Sequence, residues 1–378
     1  MIRTAVTVIK KKPVLVLLIA IPLAILGNFL RWGELWVFLF TAIGIIPVAG
    51  YIGEATEVLA AHTGPRVGGL LNATLGNAAE LIITIVAIRE GLLELVKASI
   101  TGSILGNVLL VMGMSMVVGG FRHGTQYFDR RQAGNNAILL VLAVVALVIP
   151  SLFSSSIGSE RSMKVEALSL GVAFTMITLY ALGIFYSFKI TNGPLAAHTT
   201  KDSHLEHSKP DAKAKPVSHH PTWTLRTALI VLAVSTIGVA YLSELLVGAV
   251  EPVVQKLGVS EFFLGIILIP IVGNVSEHMV AVKVAGQNQM DLSVEIAIAS
   301  SLQIALFVAP VLVFISLLLG HPLQLIFNQF ELLALIVGVV ITALVSADGE
   351  SNWLEGVELL AVYLILGLAF FLLPTIPG

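Results

Sequence analysis

Two stretches of the chain place an amide and a carboxylate at the same spacing inside surroundings as apolar as lipid. LLNATLGNAAELIITIV (Leu70–Val86) carries Gly76, Asn77 and Glu80, and IILIPIVGNVSEHMVAV (Ile266–Val282) carries Gly273, Asn274 and Glu277, an offset of 197 residues. On a helix, positions 77, 80 and 84 share one face, as do 274, 277 and 281. Each amide oxygen then points with its carboxylate into one cavity. A carboxylate in mid-membrane costs about 2.5–3.5 kcal/mol on insertion scales. A single one can be a protonated packing group or a link between helices, and a Gly-Asn pair can be a mere kink. Two copies at symmetric depth call for a functional reason.

The donor types select the ligand. Carboxylates, amide oxygens, the hydroxyls of Ser103 and Ser301 and freed backbone carbonyls make an all-oxygen site, which suits Ca²⁺ at about six to eight oxygens. The chain has no cysteine, and His278, the nearest histidine, has no second imidazole at ligand spacing, which disfavours a Zn²⁺ or Cu⁺ specialist. Two glutamates neutralise one divalent cation. Without it, two like charges meet in low dielectric, which favours taking up protons, and the pair titrates as a unit. Ca²⁺ and protons therefore compete for the same oxygens, the minimum chemistry for exchange.

The elements that must position these groups are apolar segments. Of 378 residues, 57% are hydrophobic and 12% charged, half the charge of an ordinary soluble domain. Eleven segments long enough to cross a bilayer lie near 14–30, 34–61, 66–88, 98–119, 133–151, 165–188, 223–250, 261–283, 292–319, 329–347 and 355–373. The first follows Lys10–Lys12 without a small-residue cleavage site and reads as a retained helix. With the N-terminus cytoplasmic and the C-terminus outside, 15 of the 21 Lys and Arg residues fall on the cytoplasmic side, as the positive-inside rule requires. Residues 190–222, rich in Lys and holding five of the nine histidines, read as a solvated cytoplasmic linker. Weak metal binding by that stretch is the other reading.

The halves repeat beyond the Gly-Asn motif. Tyr51-x-x-Glu54 ahead of the first copy resembles Tyr241-x-x-Glu244 ahead of the second, and TGSILGNVLLV (Thr101–Val111) sits opposite ASSLQIALFVA (Ala299–Ala309), pairing Ser103 with Ser301. Helix parity makes the two halves antiparallel, the inverted-repeat plan of many secondary transporters, whose sites lie at the midplane where helices break. Both motifs have the glycines, and the second a nearby Pro270, to break a helix. The expected fold is an all-α integral membrane protein of eleven transmembrane helices: an extra N-terminal helix (1–32), a first five-helix repeat (33–189), the linker (190–222) and a second, inverted repeat (223–378). Asn107 shares the face of Ser103 and has Ala305 opposite it, so it is a one-sided ligand or a helix-packing amide. Glu94, Glu251, Glu261, Glu295 and Asp348 lie near helix ends and read as interfacial charge. Glu331 and Glu358 have no symmetric partner and read as packing or snorkelling groups.

The paired GNxxE motifs, GEATEVLA (Gly53–Ala60), GSILGN (Gly102–Asn107) and SSLQIALFVAP (Ser300–Pro310) together resemble the Ca²⁺/H⁺ antiporters of the cation/Ca²⁺ exchanger superfamily, in their shorter prokaryotic form, from about residue 15 onward. The resemblance implies Ca²⁺ efflux driven by inward proton flow, with Glu80 and Glu277 as ion-binding carboxylates. It also implies supporting roles for Asn77, Asn274, Ser301 and Gln303, and for Glu57 and Glu244 on the long pathway helices. Internal symmetry instead pairs Glu54 with Glu244; one helix face can hold both Glu54 and Glu57, with Glu57 favoured. Members often carry an acidic helix between the halves, where this chain has a basic, histidine-rich stretch. The expected substrates are Ca²⁺ and protons at a cell membrane, with no cofactor and no nucleic acid, and a homo-oligomer is compatible with the sequence. The alternatives are a Na⁺-driven or less selective exchanger on the same scaffold, or a passive cation channel.

Overall fold

The computed structural model describes residues 13–158, 162–189 and 223–373. Lys10–Lys12 and the histidine-rich stretch 190–222 lie outside the described residues. Helices are labelled in chain order and grouped where pieces run on through a π turn or a short break. They are α1 (Ala20–Phe29, entered through a 3₁₀ segment Pro13–Ile19), α2 (Glu34–Thr63), α3a (Pro65–Leu75) and α3b (Ala78–Arg89), α4 (Leu93–His123), α5 (Arg130–Ile157), α6 (Met163–Lys189), α7 (Leu225–Leu257), α8 (Glu261–Ala285), α9 (Met290–Leu318), α10 (Gln329–Val345) and α11 (Trp353–Leu372). They fall on the apolar segments read from the sequence. Among the described residues eight, α2, α4–α9 and α11, are long and apolar enough to cross a bilayer. The helices α1 and α10 are shorter.

Burial sorts the helices. Of the eight long ones, α4 and α9 are the most enclosed, whereas α6 and α11 are the least. The outer helices expose Phe174, Leu182, Leu364 and Ile365, large side chains that hydrocarbon tolerates and water does not. The chain is a multi-pass membrane protein. Its core is one continuous cluster running from Phe38 on α2 through Ile104, Leu109 and Met112 on α4 to Ile304 and Leu312 on α9 and Leu359 on α11. The long helices α2 and α7 lie along each other beside it.

Where helices approach closely, small residues permit it. A Cβ on Gly102 of α4 would fall 2.0 Å from the carbonyl oxygen of Ile266 on α8, and one on Gly265 of α8 would fall 2.7 Å from Ala98 Cβ. That seam sets the backbones of α4 and α8 in direct contact, the packing mode of membrane helices. Gly64, at φ +82°, ends α2 and delivers Pro65 to the first turn of α3a.

Among the described residues three helices carry π turns, at Gly106–Val111 in α4, Leu264–Leu268 in α8 and Ile304–Val308 in α9. Such turns concentrate at functional sites. The turns in α4 and α9 follow Ser103 and Ser301 at matching positions. The two Gly-Asn motifs differ in outcome. The first breaks its helix: Asn77 (φ −99°, ψ 26°) separates α3a from α3b. The second does not, because α8 stays helical from Ile269 to Ala285. There the Asn274 amide donates to the carbonyl oxygen of Pro270 four residues back (3.1 Å), and the irregularity that Pro270 demands is taken up upstream by the π turn.

Candidate cation-binding site

Four helices, two from each half of the chain, meet at the Gly-Asn motifs: α3b brings Glu80, α8 brings Glu277, and α4 and α9 bring the neutral oxygens. The contacts cross between the halves. Asn77 Nδ2 donates to Gln303 Oε1 on α9 at 2.7 Å, and Asn274 Nδ2 donates to Ser103 Oγ on α4 at 3.2 Å. Each carboxylate also packs on the other motif's glycine. A Cβ on Gly273 would lie 3.1 Å from Glu80 Oε1, and a Cβ on Gly76 would lie 3.6 Å from Glu277 Oε1. The glycines are thus the floor on which the opposing carboxylates rest.

The local folding explains the placement. The backbone contact at Gly102 brings Ser103, one residue on, within reach of Asn274. The break at Asn77 leaves its side chain at the head of α3b, where it turns to α9. Both amide nitrogens are used in these contacts, which leaves both amide oxygens facing inward. Asn77 Oδ1, Asn274 Oδ1 and Glu80 Oε1 are buried acceptors without a hydrogen-bond partner. Buried polar atoms in folded proteins are nearly always satisfied. Three such orphans on the two motifs, all of them oxygens, suit a hard cation. No group of three or more His, Asp or Glu side chains able to hold a metal exists among the described residues; the candidate donors here are two carboxylates, amides and hydroxyls.

Other residues singled out in the sequence are placed as follows. Ser301 is buried, and its hydroxyl bonds the carbonyl oxygens of Ala297 (3.0 Å) and Ile104 (3.5 Å). The hydroxyl on the carboxylate is that of Ser300, which donates to Glu277 Oε2 at 2.6 Å. Asn107 is buried between Ser300 Oγ (3.0 Å) and His278 Nε2 (3.2 Å). Glu57 is exposed and Glu54 half-buried on the last turns of α2. Glu244 pairs with Arg89 at 3.1 Å, at the end of α3b and away from the two motifs. Glu331 is fully buried as the third residue of a capping box with Asn328, its Oε2 accepting from the Asn328 backbone N–H at 2.8 Å. Ser300 and the buried imidazole of His278 are the site residues that sequence reasoning missed. The Ser300-Ser301 doublet was the signal for the first; symmetry with Ser103 points to Ser301, whose hydroxyl bonds backbone carbonyls, while Ser300 bonds Glu277.

A multi-pass helical membrane protein whose centre is an oxygen-lined pair of carboxylates belongs to the class of cation transporters rather than enzymes. The sodium/calcium exchanger protein family matches residues 33–189 and 227–372, and the chain belongs to that family. It is 45% identical to the Ca²⁺/H⁺ antiporter of Aphanothece halophytica over 364 residues, 96% of each chain. It is 42% identical to the Ca²⁺/H⁺ antiporter ChaA of Bacillus subtilis, over 93% of this chain and 97% of that one. Among solved structures, native YfkE superposes with a TM-score of 0.81 at 40% identity, covering 95% of this chain and 100% of the other.

Proposed function

We propose that the chain exchanges Ca²⁺ for H⁺ by alternating access and exports Ca²⁺ from the cytoplasm, with one cation held between Glu80 and Glu277. One observation carries this reading: the two motifs cross, each carboxylate lying on the other's glycine, and between them they hold three buried oxygens without partners. A divalent ion satisfies those oxygens and balances both carboxylates. Protonation of the same two groups removes their charge, ejects the ion and leaves a neutral site able to make the return. Asn77 and Asn274 complete the ligand shell, oriented by Gln303 and Ser103, and Ser300 orients Glu277. Close relatives named Ca²⁺/H⁺ antiporters support the same exchange.

In this reading the helices make eleven passes with the N-terminus cytoplasmic: one extra helix (1–32), a first repeat (33–189), the linker (190–222) and an inverted second repeat (223–378). Contacts between loops support the parity. The loop after α4 pairs with the loop after α10 as two short antiparallel strands, Gln126–Tyr127 with Glu350–Ser351. Arg122 and His123 at the end of α4 bond the carbonyl oxygen of Gly286 at the end of α8. All of these follow even-numbered helices, which eleven passes put on one side. The matched π turns of α4 and α9 support the duplication. The helices α2 and α7 slide against the bundle to change access, with Glu54 and Glu57 near the cytoplasmic mouth and Glu244 near the outer one.

The test is ⁴⁵Ca²⁺ uptake by proteoliposomes of the purified full chain under an imposed pH gradient without Na⁺. The expected result is accumulation against the Ca²⁺ gradient, abolished by Glu80→Gln and by Glu277→Gln. Uptake that requires Na⁺ would assign a Na⁺-driven exchanger, and equilibration without accumulation would assign a channel.

A further inference from the structure

The two carboxylates of the site are held differently. Glu277 Oε2 accepts the hydroxyl proton of Ser300 at 2.6 Å, Ser300 Oγ accepts from Asn107 Nδ2 at 3.0 Å, and Asn107 Oδ1 faces His278 Nε2 at 3.2 Å. Ser300, Asn107 and His278 are all buried, at 5%, 1% and 6% exposure. The chain has one direction. A carboxylate accepts, so the single Ser300 proton is committed to Glu277, and Ser300 must accept from the amide N–H₂. The Asn107 carbonyl is then left for the imidazole, which donates from Nε2. Reversing the amide would set its carbonyl oxygen against the Ser300 lone pairs, acceptor against acceptor.

The other half of the molecule has no equivalent. The position opposite Asn107 in the repeat is Ala305, and Glu80 Oε1 is buried without a partner. Glu80 Oε1 packs against Gly273 of the opposing motif.

We infer that Asn107 is a positioning residue that, through Ser300, fixes the Glu277 carboxylate, and that the two site carboxylates therefore work unequally: Glu277 is the anchored ligand and Glu80 the one that moves to meet or release the ion. This rests on the proposed Ca²⁺/H⁺ exchange at the same site. It resolves the two roles open to Asn107 in the sequence: neither a direct ligand nor a mere packing amide, it acts through a hydroxyl on the neighbouring helix.

The experiment measures KM for Ca²⁺ and maximal rate separately, by ⁴⁵Ca²⁺ uptake into proteoliposomes of the full chain. Ser300→Ala and the near-isosteric Asn107→Leu should each raise KM about tenfold, the size of one hydrogen bond to a charged group. Ser300→Thr, which keeps the hydroxyl, should restore it. Because Asn107 acts only through Ser300, the double variant should be no worse than Ser300→Ala alone. Glu277→Asp, which withdraws from Ser300, should raise KM more than Glu80→Asp. Where Asn107→Leu does not fold, Asn107→Ala replaces it in the same cycle. Additive effects of Asn107 and Ser300, a fall in maximal rate with KM unchanged, or equal effects of the two Asp variants would overturn the inference. Wild-type protein that shows no proton-driven uptake would instead refute the exchange reading and leave the geometry untouched.

Discussion

Gly273→Ala is the sharpest perturbation of the crossed geometry, because it adds one methyl group directly beneath the opposing carboxylate. Its Cβ would stand 3.1 Å from Glu80 Oε1 and 3.3 Å from both Glu80 Cδ and Cγ. These contacts are tighter than ordinary van der Waals approach, so Glu80 must withdraw by a few tenths of an ångström. A Ca²⁺ ligand works within about 2.3–2.6 Å of the ion, so a shift of that size uses up the whole tolerance. Overpacking costs about 1–3 kcal/mol. Borne by the Ca²⁺-loaded state, that becomes a rise of about five- to 150-fold in KM for Ca²⁺. The mirror substitution behaves differently. A Cβ on Gly76 meets Glu277 Oε1 at an ordinary 3.6 Å but lies 2.6 Å from the carbonyl oxygen of Asn72, so Gly76→Ala attacks the helix break and lowers stability. Proton-driven ⁴⁵Ca²⁺ uptake measured beside thermal unfolding in detergent separates the two effects. Folded Gly273→Ala protein with wild-type KM would refute the crossed packing of Glu80 on α8.

Three further outcomes follow from the same geometry. If, as proposed, Ca²⁺ and protons compete for the two carboxylates, KM for Ca²⁺ should rise as pH falls, by about tenfold per pH unit for each proton displaced; a KM independent of pH would exclude shared oxygens. Gln303→Leu removes the acceptor at 2.7 Å from Asn77 Nδ2, leaving that amide buried and unpaired, and should weaken Ca²⁺ binding about tenfold in equilibrium ⁴⁵Ca²⁺ binding. Glu331→Ala deletes half of the capping box at the start of α10 and should cost about 1 kcal/mol of stability, read as a lower melting temperature with KM for Ca²⁺ unchanged.

Much of the architecture is legible in the sequence because hydrocarbon imposes a simple rule: a run of apolar residues must be a helix. The segment read at 34–61 is observed as Glu34–Thr63, and the one at 329–347 as Gln329–Val345. The Gly-Asn-x-x-Glu pair is legible for the same reason, since charge stands out against that background. The contacts of the site are harder to read. Adjacent helix positions point about 100° apart, so choosing between Ser300 and Ser301 depends on how α9 is rotated, and the π turn at Ile304–Val308, which has no sequence signature, follows directly after. The continuity of α8 through Gly273 was likewise hidden, because the π turn upstream absorbs the irregularity that Pro270 predicts at the motif. The resemblance implies a pathway role for Glu244 and symmetry pairs it with Glu54, but neither foretells its ion pair with Arg89, whose position in the other half, by the same offset, is Gly286. A repeat predicts only what both copies share.

Locating the ion itself bears most directly on the proposal. Crystals of the full chain soaked in Ca²⁺ at a pH high enough to ionise both carboxylates should give one anomalous difference peak between α3b and α8. That peak should lie about 2.3–2.6 Å from oxygens of both Glu80 and Glu277, with Asn77 Oδ1 and Asn274 Oδ1 in the same shell. It should vanish in crystals of Glu277→Gln. A peak bound by only one of the two carboxylates, or one that survives the loss of Glu277, would contradict a single Ca²⁺ held jointly by the two halves of the chain.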